Sequence, residues 1–163
     1  MLAKCGLTSR STGPATALAS AGRLTRTLGS RMSSFAYEAK CVVMEQPDGD
    51  FHLVGFADQK FDTRLYLMLQ RAFEHDEQDH ALGMDTYHLE WCSQDKSGYG
   101  GISRFELSPN GADVTFEPQA AAALDDMDHL TISFHLNQSE FLALREALGH
   151  IFSGSDCLSV AGV

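Results

Sequence analysis

The sequence predicts an α+β fold: an antiparallel β-sheet of about six or seven strands, with a C-terminal amphipathic helix packed on one face. Three observations carry that expectation. Apolar and polar residues alternate through much of residues 37–136, the period of a half-buried strand. Turn-forming residues interrupt the runs, as in Gln46-Pro47-Asp48-Gly49-Asp50 and Ser108-Pro109-Asn110-Gly111. The spacing then becomes helical over residues 138–152.

Taken in order, residues 37–45 and 51–57 are β-rich runs on either side of a Pro-Asp-Gly turn and predict a hairpin. Residues 64–73 fit either period. Leu65, Leu67 and Leu69 alternate, while Leu65, Met68, Leu69 and Ala72 share a helical face; we read a strand. The acidic stretch 74–82 is a short helix or a long loop ahead of Gly83. In residues 84–92, Tyr87, Leu89 and Trp91 form the bulkier apolar set and should face the core, leaving Asp85 at the strand's edge. A turn is expected at 93–98. Residues 99–107 and 112–117 then pair around Asn110-Gly111, a strong hairpin signal. Residues 129–136 alternate cleanly, with Leu130, Ile132, Phe134 and Leu136 on one side. The final helix begins with Asn137 and Glu140 in capping-box spacing, carries Phe141, Leu144, Leu148 and Ile151 on its apolar stripe, and can end at Gly154.

Charge divides the chain. Residues 1–34 hold five of the 12 Lys and Arg and no acid, so residues 35–163 carry seven basic against 22 acidic residues, a net of −15. The leading 34 residues, rich in Ser, Thr, Ala and Gly, have the make-up of an organelle transit peptide. The alternative is a start at Met32, which we adopt, with a disordered extension before it and cytoplasmic location; a true transit peptide would instead point to the mitochondrial matrix. Residues 35–154 are read as one domain and 155–163 as a flexible tail. So acidic a body repels nucleic acid, and its apolar runs are strand-sized, too short to span a bilayer as helices. The four cysteines are far apart and unpaired in spacing, so buried or inert thiols in a reducing compartment are expected.

Standard catalytic signatures are absent from the sequence, among them the phosphate-binding, zinc-protease and serine-hydrolase motifs. Gly98-Tyr99-Gly100-Gly101 follows a turn and enters a strand, so it reads as a bulged hairpin end rather than a phosphate cradle. The best metal candidate is His75 and His80 with Asp76, Glu77 and Asp79, yet residues five apart on a helix diverge by about 140°. A solvated acidic segment is the plainer reading, and no metal or cofactor is expected. His88 and His135 read as surface or hydrogen-bonded residues, and Asn137 as a cap rather than a glycosylation site. What remains is a surface suited to a basic partner. Candidate contacts are Asp76, Glu77, Asp79, Asp85, Asp125, Asp126 and Asp128, with Tyr87 and Tyr99 as aromatic anchors.

Four blocks carry a further signal: Tyr66-Leu67-Met68-Leu69-Gln70-Arg71, Asp76-x-Gln78-Asp79, Leu82-Gly83-Met84-Asp85-Thr86-Tyr87 and Ser97-Gly98-Tyr99-Gly100-Gly101-Ile102. In these the chain resembles the immunity protein 10 family of bacterial polymorphic toxin systems, over about residues 37–152. The resemblance implies a cytoplasmic, non-enzymatic antidote that binds a cognate toxin, and it assigns no inhibitory role to any single residue. An acidic inhibitor of this kind suits a basic toxin, whose nucleic-acid-binding charge it would cover. The alternative expectation is a small metal-dependent enzyme, with its pocket between residues 74–80 and the strand around Asp85 and His88.

Overall fold

Strand alternation sorts the side chains here into a core set and a solvent set, and the computed structural model, which describes residues 25–26 and 33–162, places the core set between two sheets. The strands are β1 (Thr25–Arg26), β2 (Ser33–Glu38), β3 (Cys41–Glu45), β4 (Phe51–Ala57), β5 (Tyr66–Ala72) and β6 (His88–Trp91). They continue as β7 (Ser93–Tyr99), β8 (Ile102–Ser108), β9 (Gly111–Phe116), β10 (Met127–Ser133) and β11 (Leu158–Val160). Three helices interleave with them: α1 (Glu77–Ala81), α2 (Pro118–Ala123) and α3 (Gln138–Ile151). One sheet runs β1-β2-β10-β9-β8-β11 and the other β3-β4-β5-β6-β7. The second is antiparallel throughout, whereas the first is parallel at β2/β10 and β8/β11.

The α+β class is as expected, but the described residues hold eleven strands in two sheets rather than six or seven in one. The difference arises at two crossings. The run 37–45 is not one strand, because the chain changes sheets after Glu38. Buried Ala39 anchors the change by donating its N–H to Ser133 O at 2.8 Å. The return comes at Gly100 and Gly101, whose φ values of +68° and +97° suit glycine. A Cβ on Gly101 would also stand 2.6 Å from that of Ala120. The expected strand from residue 99 therefore begins at Ile102, and the expected turn at 93–98 is edge strand β7. Its Gln94, Asp95 and Lys96 give a sequence that looks like a loop, as solvated edges often do.

Both ends of the chain depart from expectation where they are described. Thr25–Arg26 pairs with Ser33 and Ser34, so strand structure reaches into the stretch expected to be disordered; its remaining residues lie outside the described ones. Residues 158–160, expected in a flexible tail, form β11 beside β8, with Cys157 buried just before it. The 108–111 hairpin is present with Pro109 and Asn110 as its two-residue loop. Gly111 serves packing here, since a Cβ would lie 2.5 Å from Ile132 O.

The two sheets meet through aromatic rings. Phe56 packs with Phe105 and Phe134 at centroid distances of 6.3 and 5.9 Å, and Tyr37 lies 5.7 Å from Trp91 while its hydroxyl donates to Phe56 O. Leu67, Leu69, Leu130 and Ile132 are fully buried, each contributing about 1.5–3 kcal/mol of apolar transfer. Helix α3 starts with a complete capping box between Asn137 and Glu140 and buries Phe141, Leu144, Leu148 and Ile151. It touches β3, β4 and β5 of one sheet and β11 of the other. Arg71 at the end of β5 donates to Ile151 O and Ser153 O, tying a cation to the carbonyl end of α3.

Candidate functional site

The acidic connection between β5 and β6 contains five carboxylates, Glu74, Asp76, Glu77, Asp79 and Asp85, and no Lys or Arg. Its order is local. Asp76 Oδ1 accepts from the Asp79 N–H at 2.8 Å, and Asp79 Oδ2 accepts from the Asp76 N–H at 3.0 Å. This capping box opens α1, a five-residue helix with no buried residue. Gly83, at φ +69°, follows it. His80 Nδ1 and Asp85 Oδ2 then meet at 2.8 Å, and this hydrogen bond holds the Asp85 carboxyl below the usual carboxylate range.

Beneath α1 lies a cavity of about 230 Å³ whose lining includes Arg71, His75, Asp79, Met84, His88 and Tyr99. Strand pairing puts His88 opposite Tyr99, and their rings meet edge to face at 5.0 Å. The structure thus joins Asp79 of α1 to Tyr99 and to β5, and leaves Asp76, Glu77 and Asp85 outside the cavity lining. It does not bring His75 and His80 to one point: their rings are 6.3 Å apart at 65°, and His75 Nε2 is buried with no hydrogen-bond partner. Among the described residues, no three His, Cys, Asp or Glu side chains are grouped so as to hold a metal ion.

Asp76, Glu77 and Asp85 are exposed, Asp79 is half-buried, and Tyr99 is 46% exposed. Tyr87 is corrected. It is 3% exposed, its hydroxyl accepts from the Ile102 N–H at 2.9 Å, and its ring packs edge on against Phe152. Burial pushes its hydroxyl up to about 12. It is a core residue, as the alternation of 84–92 implied, and is not available as an anchor. Asp125, Asp126 and Asp128 stand apart from the α1 group. Asp125 pairs with Lys96 beside Trp91, toward the other end of the β6–β7 ladder, and Asp128 accepts from the Ser33 N–H. Asp125 and Asp126 also hold positive φ in the turn before β10.

Sequence reasoning passed over Phe73 and Leu82, which flank the acidic segment and are exposed. Their signal was a large apolar residue placed at each margin of a polar run. It also put Glu90 on a wet face. Glu90 is in fact buried, and its carboxylate accepts from the Tyr66 hydroxyl. Cys92 and Cys157 form no disulfide, and burial raises the Cys92 thiol to about 11, so it is a poor nucleophile at neutral pH. No helix among the described residues is long and apolar enough to cross a membrane.

A model of the immunity protein 10 family matches residues 38–142, a span that contains α1, its cavity and the whole five-stranded sheet. No curated protein matches the chain.

Proposed function

The chain belongs to the immunity protein 10 family, and from that premise we propose that it neutralises a cognate toxin of a bacterial polymorphic toxin system by binding it through an acidic surface. The family match carries the reading; charge supports its manner. A net of −15 over residues 35–163 raises the encounter rate with a basic partner and disfavours other anions. The protein acts by occupying the toxin rather than by turning over a substrate, and it does so in the cytoplasm, where a delivered toxin meets its target. Asp76, Glu77, Asp79, Asp85 and Tyr99 form the contact region in this reading; its support is that Asp76, Glu77, Asp85 and Tyr99 are exposed and that Asp79 and Tyr99 line one cavity.

The test is co-expression with a candidate toxin domain of a polymorphic toxin system. Growth should be restored, and the purified complex should weaken steeply as salt rises from about 50 mM to about 500 mM, because exposed charges are screened over about 10 Å at 0.1 M. Continued killing in cells that hold the soluble, folded protein would end the neutralisation reading. A salt-insensitive complex would end only its electrostatic part.

A further inference from the structure

We infer that β3 is the pairing edge for a second copy of this chain, the two β3 strands running antiparallel across a two-fold axis and joining two five-stranded sheets into one. The sheet edges differ in how well they are protected. Among the described residues one sheet ends in β1 and β11, the other in β3 and β7. Strands β1 and β11 have two and three residues, too short to template another strand. Edge β7 carries Gln94, Asp95 and Lys96 in succession, and its pairing with β6 shifts register beside them. Charge and irregularity of this kind keep an edge from pairing. Edge β3 has neither. It pairs with β4 in unbroken register over five residues, and Cys41-Val42-Val43-Met44 contains no charge, proline or glycine.

The ladder itself shows which backbone groups the edge presents. The Asp58 N–H donates to Leu65 O and the Phe73 N–H to Asp50 O, both continuing the β4–β5 register. Even-numbered residues of β4 therefore bond to β5, and Leu53, Gly55 and Ala57 bond to Glu45, Val43 and Cys41. Val42 and Met44 are left with N–H and C=O turned away from β4, and among the described residues nothing hydrogen-bonds to them there. Pairing centred on Val43 sets Val42 of each copy opposite Met44 of the other, so every outward group finds a partner. Val43 then meets its own counterpart, a favourable β-branched pair. Charge selects the direction. Lys40 precedes β3, Glu45 ends it and Asp48 follows; all three are exposed, and among the described residues none is in an ion pair. Antiparallel pairing brings Lys40 of each copy to the acidic end of the other, whereas parallel pairing opposes like with like. The inference stands apart from the neutralisation reading, because Tyr99 lies on β7, the opposite edge of the sheet.

Sedimentation velocity of the full chain from about 10 μM to about 1 mM should show monomer giving way to dimer, weakly, because two short strands make a small interface. Amide hydrogen exchange over the same series should slow at Val42 and Met44 as the dimer forms and stay constant at Asp95 and Lys96 on β7. Val42→Pro removes an outward N–H and no bond to β4, and should weaken dimerisation by about tenfold or more. Lys40→Glu should weaken it by about tenfold, while Arg104→Glu, the same net change on the other sheet, should weaken it by less than about twofold. Lys40→Glu combined with Glu45→Lys should restore most of the loss. Both of these side chains are exposed, so the charge exchange reads pairing even if Val42→Pro fails to fold. A chain that stays monomeric throughout overturns the inference, as does a dimer that leaves exchange at Val42 and Met44 unchanged. Slow exchange at both amides in the monomer would mean that another part of the chain covers the edge, and overturns it equally. Equal losses in Lys40→Glu and Arg104→Glu overturn the antiparallel pairing.

Discussion

Helices α1 and α3 begin with the same device and end very differently. Asp76 with Asp79, and Asn137 with Glu140, each form a reciprocal capping box with both bonds between 2.8 and 3.0 Å. From that start α3 runs 14 residues and buries four large side chains, whereas α1 stops after five and buries none. A cap satisfies backbone groups that a helix end leaves open, but it supplies no transfer energy; only an apolar stripe against a core carries a helix onward. The contrast separates tasks. Side chains of α3 are committed to the fold, and those of α1 stay out of the core.

That division can be broken by mutation, and the largest effect belongs to α3. Leu148→Ala, at a position with no exposure, should lower unfolding free energy by about 2–5 kcal/mol in urea melts. Removing the cap, Asn137→Ala, should cost about 1 kcal/mol by the same measurement, because one backbone donor of α3 loses its acceptor. The matching change in the other helix, Asp76→Ala, should move global stability by less than about 0.5 kcal/mol, since no buried group depends on α1. Its effect should appear instead in toxin affinity. A large stability loss from Asp76→Ala would mean that α1 belongs to the core after all.

The smallest effect lies where the two regions meet, at His52. Its ring stacks on His150 from the last turn of α3, with centroids 4.6 Å apart and planes 1° apart, and it also contacts Phe73 at the start of the acidic connection. Burial first, then His150 and Arg71, lower its pKa below the ordinary imidazole value. The unfolded chain therefore binds more protons than the folded one in that range, so stability declines as pH falls through the ordinary value and levels off below the folded one. Urea midpoints should drop slightly between about pH 7 and about pH 5. The drop should shrink in His150→Gln. An unchanged drop in that variant would place the acid sensitivity elsewhere.

Legibility in the sequence followed the range of the interactions involved. Period-two alternation was readable in residues 66–72 and 127–133, where Leu67, Leu69, Leu130 and Ile132 are all core, because parity alone decides the face. The Asn137 cap was readable because its partners lie three residues apart. Edge strand β7 was not, since an edge must stay polar and then resembles a turn. Nor was β11, whose three residues carry no period and owe their extended form to β8. At the candidate site the carboxylates were legible as a group, but the cavity was not. It needs His88 and Tyr99 across one ladder and Arg71 from another strand. Tyr87 shows the two scales in conflict: its type suggested an anchor, while its parity placed it inside, and parity prevailed.

By itself, the sequence determined the start of α3, the faces of most strands, the acidity of the body and the family to which the chain belongs, because each depends on neighbours a few residues apart or on composition. Only tertiary structure decided that the strands divide into two sheets, that α3 touches both, and that α1 stands over a cavity. Those outcomes turn on contacts between distant residues, such as Ala39 with Ser133 and Gly101 with Ala120, and no local pattern encodes which distant backbone will approach.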